Sequence, residues 1–316
     1  MRILIVGAGA TGGYFGGRLL QHGRDVTFLV REQRAAQLAR HGLAIHSPTG
    51  DVALPTPPTV LARELGGRGP FDLIVLGCKA YGLAQAMDDL APAVGPRTAI
   101  LPLLNGMRHL DLLDAHFGAD KVLGGQCVIA ATLDADGAVR HLNGSHSLTF
   151  GERDGRLSAR MATITRALSD AGFEARSSQT IVQDLWNKWV FLATLAGITC
   201  LMRAPVGDIV AAPGGREATL ALLDECRSTA ARAGYAPGAD ALQRARDTLT
   251  DPSSMLTASM LRDVQRGYPT EADHVIGDML ARSGHAPGDG SMLAITYAHL
   301  QAYEAGRTRR QASASH

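Results

Sequence analysis

Met1-Arg2-Ile3-Leu4-Ile5-Val6-Gly7-Ala8-Gly9-Ala10-Thr11-Gly12 opens the chain. Its first six residues form an apolar run rich in branched side chains, the pattern of a buried strand. The next six carry glycines at 7, 9 and 12. An amphipathic stretch follows over 14–22 and stops at Gly23, and a second apolar run covers 26–30. Strand, glycine turn, helix, strand is the start of a doubly wound α/β domain. In such a turn Gly7 permits the tight bend, Gly9 lets the backbone approach a pyrophosphate, and Gly12 lets helix and strand pack closely. The free N–H groups of the helix N-terminus then face the phosphates. Gly7, Ala8, Gly9, Ala10, Thr11 and Gly12 are therefore the expected dinucleotide-binding segment.

Working outward, further strands are expected at 73–76, 99–104 and 122–131, with a helix over 81–90. The stretch 138–150 alternates as antiparallel strands do, and Asp134-Ala135-Asp136-Gly137 reads as the turn before it. A helix over 159–170 and a short strand over 173–176 close this half. Beyond Ser178 the pattern is helical: 180–202, 216–233, 239–249, 254–265, 270–283 and 291–305. Gly234, Gly267 and Gly284 follow three of these segments, as C-terminal caps do. The expected architecture is α/β: a Rossmann-type doubly wound sheet over 1–177 and a second, all-helical domain over 178–306. The Arg-rich end, 307–316, reads as a frayed or disordered tail.

Composition narrows the function classes. A formal net charge of +1 over 316 residues leaves no broad basic surface for a nucleic-acid backbone. Cys78, Cys127, Cys200 and Cys226 are scattered, with neither zinc-ligand nor disulfide-framework spacing, so reduced cytoplasmic thiols are expected. The nearly apolar run 189–202 is shorter than the ~20 residues of a membrane span, and reads as a core helix. The N-terminus enters a strand at once, without a targeting pattern. Glu271 and His274 make a lone Glu-x-x-His, with no second pair to build a metal site. Tyr81, Tyr235 and Trp186 read as packing residues.

The end of the second strand separates NAD from NADP, because an acidic residue there would repel a 2′-phosphate. Here Arg31 follows Val30 directly, and a guanidinium can grip a phosphate through two parallel hydrogen bonds. Glu32 is adjacent and works against this, unless it points to solvent. Lys79, just after the strand at 73–76, could add a second positive charge. Either cation could instead be a surface charge; the balance favours NADP(H).

Four more signatures lie along the chain: Cys78-Lys79-Ala80; Asn105-Gly106-Met107; Leu185-Trp186-Asn187-Lys188; and Ser259-Met260-Leu261-Arg262-Asp263 followed by Thr270-Glu271. Together with the glycine turn they resemble the ketopantoate reductase (2-dehydropantoate 2-reductase) family over essentially the whole chain. The resemblance implies NADPH-dependent reduction of a small 2-keto acid, ketopantoate to pantoate. It also implies roles: Lys188 as general acid, Glu271 on the substrate hydroxyl, Ser259 on the carboxylate, and Asn105 beside the nicotinamide and the reacting carbon. Arg31 and Lys79 would lie near the 2′-phosphate.

One face departs from the family pattern. Pantoate-forming members usually carry asparagines four and eight residues after the lysine, where this chain has Leu192 and Ala196. A methyl group cannot replace a lost hydrogen-bond donor, so a different 2-keto acid is the alternative substrate. A non-catalytic NADP(H)-binding sensor is the alternative from another class, although it would have no need of Lys188, Ser259 and Glu271 together. The apolar faces of the helical domain are compatible with a homodimer.

Overall fold

A computed structural model describes residues 1–314. β1 (Arg2–Val6) is the buried strand of the opening run, with Ile3, Leu4 and Ile5 wholly inaccessible. It is followed by α1 (Ala10–Gln21), β2 (Asp25–Leu29), α2 (Glu32–His41), β3 (Leu43–His46), β4 (Val52–Leu54) and β5 (Thr59–Val60). Then come β6 (Leu73–Leu76), α3 (Leu83–Leu90), β7 (Ala99–Pro102), α4 (Arg108–Phe117), β8 (Gly124–Leu133), β9 (Val139–Gly151), α5 (Ala159–Leu168) and β10 (Glu174–Ser177). The remaining elements are helical: α6 (Ile181–Met202), α7 (Val206–Ala211), α8 (Gly215–Arg232), α9 (Ala239–Leu249), α10 (Ser259–Gln265), a π-turn (Asp273–Gly277), α11 (Asp278–Arg282) and α12 (Met292–Ala314).

Strands β5-β2-β1-β6-β7 form a parallel sheet in that order. β1 lies at its centre, so the chain reverses direction across the sheet beside the glycine turn, where doubly wound folds bind ligands. A second sheet is built around β9, which pairs antiparallel with β8 and parallel with β3 and β10. Helix α1 is packed between the two. A Cβ on Gly16 would stand 2.6 Å from the Phe28 ring, and one on Gly17 would stand 2.7 Å from the Ile45 side chain. The two glycines thus let both sheets close on one helix. Each large apolar side chain buried there contributes about 1.5–3 kcal/mol.

The chain divides into two compact units: Met1–Leu104 with His109–Val182, and Asn105–Arg108 with Gln183–His316. The division thus falls after Val182 rather than at 177/178, and it sends Asn105 to the helical unit. The α/β class and the helical second half are as the sequence predicts. The differences lie in short or irregular elements. β3, β4 and β5 are only two to four residues long and carry too few positions to show alternation. The helix expected from residue 254 begins at Ser259, because the segment before it is extended against α7: Val206 N–H donates to Leu256 O and Gly207 N–H to Ser254 O. The helix expected over 270–283 contains the π-turn.

The tail expectation needs correction. Helix α12 continues through Ala314, with Arg307 bound to Glu304 and Gln311 at helical spacing; residues 315–316 lie outside the described residues. Helix α6 is 22 residues long and, by length and composition, could cross a membrane, but 67% of its apolar window is buried inside the protein.

Candidate functional site

In the first unit the glycine turn is built as its spacing requires. Gly7 adopts φ +91° and donates its N–H to Leu29 O at 2.9 Å, tying the turn to β2. Gly9 caps α1 without a side chain, and nothing lies within 4 Å of the position its Cβ would take. A Cβ on Gly12 would collide with the Gly7 carbonyl oxygen. The loop therefore offers open backbone N–H groups on one side and close helix–strand contact on the other.

A cavity of about 320 Å³ opens at the ends of β1, β2 and β6 and is lined by Gly7, Ala8, Gly9, Arg31 and Lys79. Its walls are apolar, from Val6, Leu29, Val30, Ala86 and Leu133. Ala10, Thr11 and Gly12 form the first turn of α1 and do not line it. Arg31 is exposed at the N-cap of α2. The adjacent Glu32 is ion-paired with Arg63, both side chains being exposed. Tyr81, read from sequence as a packing residue, is 60% exposed and lines this cavity. It follows Lys79 in a short 3-10 turn, Ala80–Gly82, that delays the start of α3.

Arg34, like Asp89, is a charged cavity residue that sequence reading missed. Its Nε donates to Ala8 O at 3.0 Å, and its terminal nitrogens donate to Gln37 Oε1 and Gly137 O. It thereby clamps the glycine turn to α2 and to the β8–β9 turn, and burial pushes its pKa down from the ordinary guanidinium value. Its position three residues after Arg31, on the same helix face, was the available signal. A larger surface groove of about 700 Å³ lies on the other side of Arg34. It includes no residue of the glycine turn, so the smaller cavity is the better cofactor candidate.

In the second unit, Lys188 is half-buried on α6, between the buried Trp186 and Trp189. Trp186 does pack, stacking on Tyr235 with centroids 5.9 Å apart. Along the face of Lys188, Leu192 is half-buried and Ala196 buried. Thr194 and Thr199 return their hydroxyls to Val190 O and Leu195 O of their own helix, so neither replaces a missing polar group on that face.

Glu271 is buried, and its neighbour Thr270 donates both N–H and hydroxyl to Glu304 Oε1 at 2.7 Å. Asn105 is half-buried beside Gly106, which has φ +80°. A Cβ on Gly106 would lie 2.6 Å from His274 O. Asn105 is thus brought to the turn that follows Glu271. Trp189 Nε1 donates to Val275 O at 2.9 Å, bringing the helix of Lys188 to the same turn. Ser259 is half-buried at the first residue of α10, on a separate helix. Burial pushes the His274 pKa below the ordinary imidazole value, against the raising effect of nearby Glu271.

The chain matches the family described as ketopantoate reductase PanE/ApbA over residues 3–155, and its C-terminal counterpart over 180–304. It is 39% identical over 305 residues to the uncharacterized oxidoreductase YkpB of Bacillus subtilis (strain 168), covering 96% of this chain and 99% of that one. The crystal structure of 2-dehydropantoate 2-reductase from Geobacter metallireducens GS-15 superposes with a TM-score of 0.85 at 27% identity, over 96% and 99% of the two chains. The ternary structure of D-mandelate dehydrogenase with NADH and anilino(oxo)acetate gives 0.86 at 23% identity, over 98% and 100%. At that identity the likeness is one of fold.

Proposed function

The chain belongs to the ketopantoate reductase PanE/ApbA family of oxidoreductases acting on CH–OH groups, and from that premise we propose that it is an NADPH-dependent 2-keto acid reductase. The observation that carries the reading is the cavity at the strand ends, where the Gly7–Gly9 backbone meets Arg31 and Lys79. Crowding at Gly12 and open space at Gly9 fit a dinucleotide lying across the turn. Arg31 and Lys79 at the cavity support NADPH over NADH, and the exposed ion pair of Glu32 with Arg63 only weakens the opposition of that carboxylate to a 2′-phosphate. Arg31 and Lys79 would hold that phosphate.

When bound, the nicotinamide supplies a hydride to the carbonyl carbon of the keto acid. Negative charge then builds on the carbonyl oxygen. The Lys188 ammonium stabilises that charge and donates the proton that completes the hydroxyl. Ser259 donates a hydrogen bond to the substrate carboxylate, Glu271 accepts one from a substrate hydroxyl, and Asn105 orients the reacting end. The roles of these four residues rest on the family resemblance. We read the protein as soluble, supported by the burial of α6, and as cytoplasmic, supported by its four free, scattered cysteines.

Ketopantoate is the first substrate to test. Leu192 and Ala196 favour a second reading, a 2-keto acid with an apolar side chain that needs no hydrogen bond from that face. The test is NADPH consumption with ketopantoate beside a panel of 2-keto acids and an NADH control. NADPH-preferring turnover of ketopantoate supports the first reading, and turnover confined to an apolar keto acid supports the second. NADPH binding without turnover across the panel would favour the sensor.

A further inference from the structure

The π-turn at Asp273–Gly277 is a rare element, and such turns recur at functional sites. Here it is pinned from three directions within the helical unit. From α12, Tyr297 Oη and Gln301 Nε2 both donate to Asp273 Oδ1, at 2.8 and 2.7 Å. From the Asn105 segment, Gly106 lies against His274 O. From α6, Trp189 Nε1 donates to Val275 O across a buried 2.9 Å hydrogen bond. The Arg282 guanidinium, on the helix that continues from the turn, sits 5.9 Å from the centroid of the same indole.

The sequence positions give this geometry its meaning. Trp189 follows Lys188, Gly106 follows Asn105, and Glu271 lies two residues before the turn. Three candidate reaction residues therefore stand on, or next to, the backbone that meets at one irregular turn. A carbonyl oxygen has two lone pairs, so Val275 O can accept the indole N–H alongside any bond within its own helix. Indole N–H can only donate, and it has a single direction in which to do so.

We propose that Trp189 is a positioning residue: its N–H bond to Val275 O fixes α6, and with it Lys188, against the turn that follows Glu271 and seats Asn105–Gly106. The proposal rests on Lys188 being the general acid. In this role Trp189 touches neither substrate nor cofactor, and acts only by setting where Lys188 stands. Misplacing a catalytic group by about 1 Å costs up to about 10²-fold in rate, so loss of one tether should fall below that limit.

The test uses the full chain, with Trp189→Phe as the variant and Trp186→Phe as the control. Trp189→Phe should lower kcat by about tenfold, with keto-acid KM and NADPH Kd within about twofold. Amide hydrogen exchange should quicken over 271–277. The Trp186 ring lies 4.9 Å from that of Trp189, so Trp186→Phe loosens the packing but keeps the Trp189 N–H, and it should move both readouts less than Trp189→Phe does. In a Lys188→Ala background, Trp189→Phe should lower the residual kcat no further, because a residue acting through Lys188 has nothing left to position. Equal losses in both backgrounds, or faster exchange with unchanged kcat, would overturn the proposal and leave Trp189 a core residue.

Should Trp189→Phe fail to fold, benzothienylalanine at 189 in the Trp186→Phe chain keeps the ring shape and removes only the N–H. Relative to the Trp186→Phe chain it should show the same kcat loss, and kcat equal to that parent would overturn the proposal. If Lys188→Ala itself leaves kcat intact, the general-acid reading fails and this proposal fails with it. If Lys188→Ala is inactive while Trp189→Phe is neutral, only this proposal fails.

Discussion

The glycine turn at residues 7–12 and the π-turn at Asp273–Gly277 are two irregular pieces of backbone with opposite logic. The glycine turn works by what it lacks: at Gly9 there is open space, and at Gly12 there is no room for a side chain. Its expected ligand is met by main-chain N–H groups. The π-turn is surrounded by side chains from α6 and α12 and by the Asn105–Gly106 backbone. It orders side chains drawn from distant parts of the chain. Damage to the first should therefore appear as lost cofactor affinity, and damage around the second as lost turnover with the cofactor still bound.

The largest expected effect falls on the second region. Lys188→Ala should lower kcat by about 10²–10⁴-fold, the usual range for a general acid, while NADPH still binds. Fluorescence titration beside steady-state kinetics checks both halves, and a parallel loss of NADPH affinity would erase the distinction between the regions. Next comes Gly12→Ala, whose added methyl must displace the Gly7 carbonyl. Overpacking of this kind costs about 1–3 kcal/mol, and NADPH Kd should rise while any turnover at saturation persists.

Arg31→Ala sharpens the comparison within the first region. A charge-assisted hydrogen bond is worth about 1.5–3 kcal/mol, so the KM for NADPH should rise roughly tenfold or more while that for NADH stays flat. An equal rise for both cofactors would mean that Arg31 does not read the 2′-phosphate.

The smallest effect lies away from both turns. Glu152 accepts hydrogen bonds from Arg160 and Ser158, and the Arg160 bonds hold its pKa below the ordinary 4.5. Its contribution to stability is complete above about pH 4.5 and is lost as pH falls through the lower folded value, because the unfolded chain takes up the proton first. Thermal melts between pH 3 and 6, an interval of roughly that span, should show a shallower acid slope for Glu152→Gln, with cofactor affinity unchanged at neutral pH.

Helix α12 shows where reading composition alone goes astray. Its last turns carry Arg307, Arg309 and Arg310, which read as a frayed end, yet Glu304 and Gln311 stand at the spacings that pair with Arg307. Arg34 was overlooked for a different reason. Its partners at Ala8 and Gly137 are 26 and 103 residues away, and no local pattern announces a bond of that reach. The π-turn hid inside a helical stretch because residues 270–283 keep helical periodicity while one turn of the ladder shifts.

By itself the sequence determined the strand–glycine–helix opening, the parallel sheet that follows from it, and the helical second half with its glycine caps. These rest on local rules: side-chain periodicity, the steric freedom of glycine, and the free N–H groups at a helix start. Only the tertiary structure decided that Asn105 joins the helical unit, that Glu32 is paired with Arg63, and that Trp189 ties the helix of Lys188 to the turn beyond Glu271. Each of these joins residues far apart in the chain, through contacts that depend on packing and direction and so have no signature in neighbouring residues.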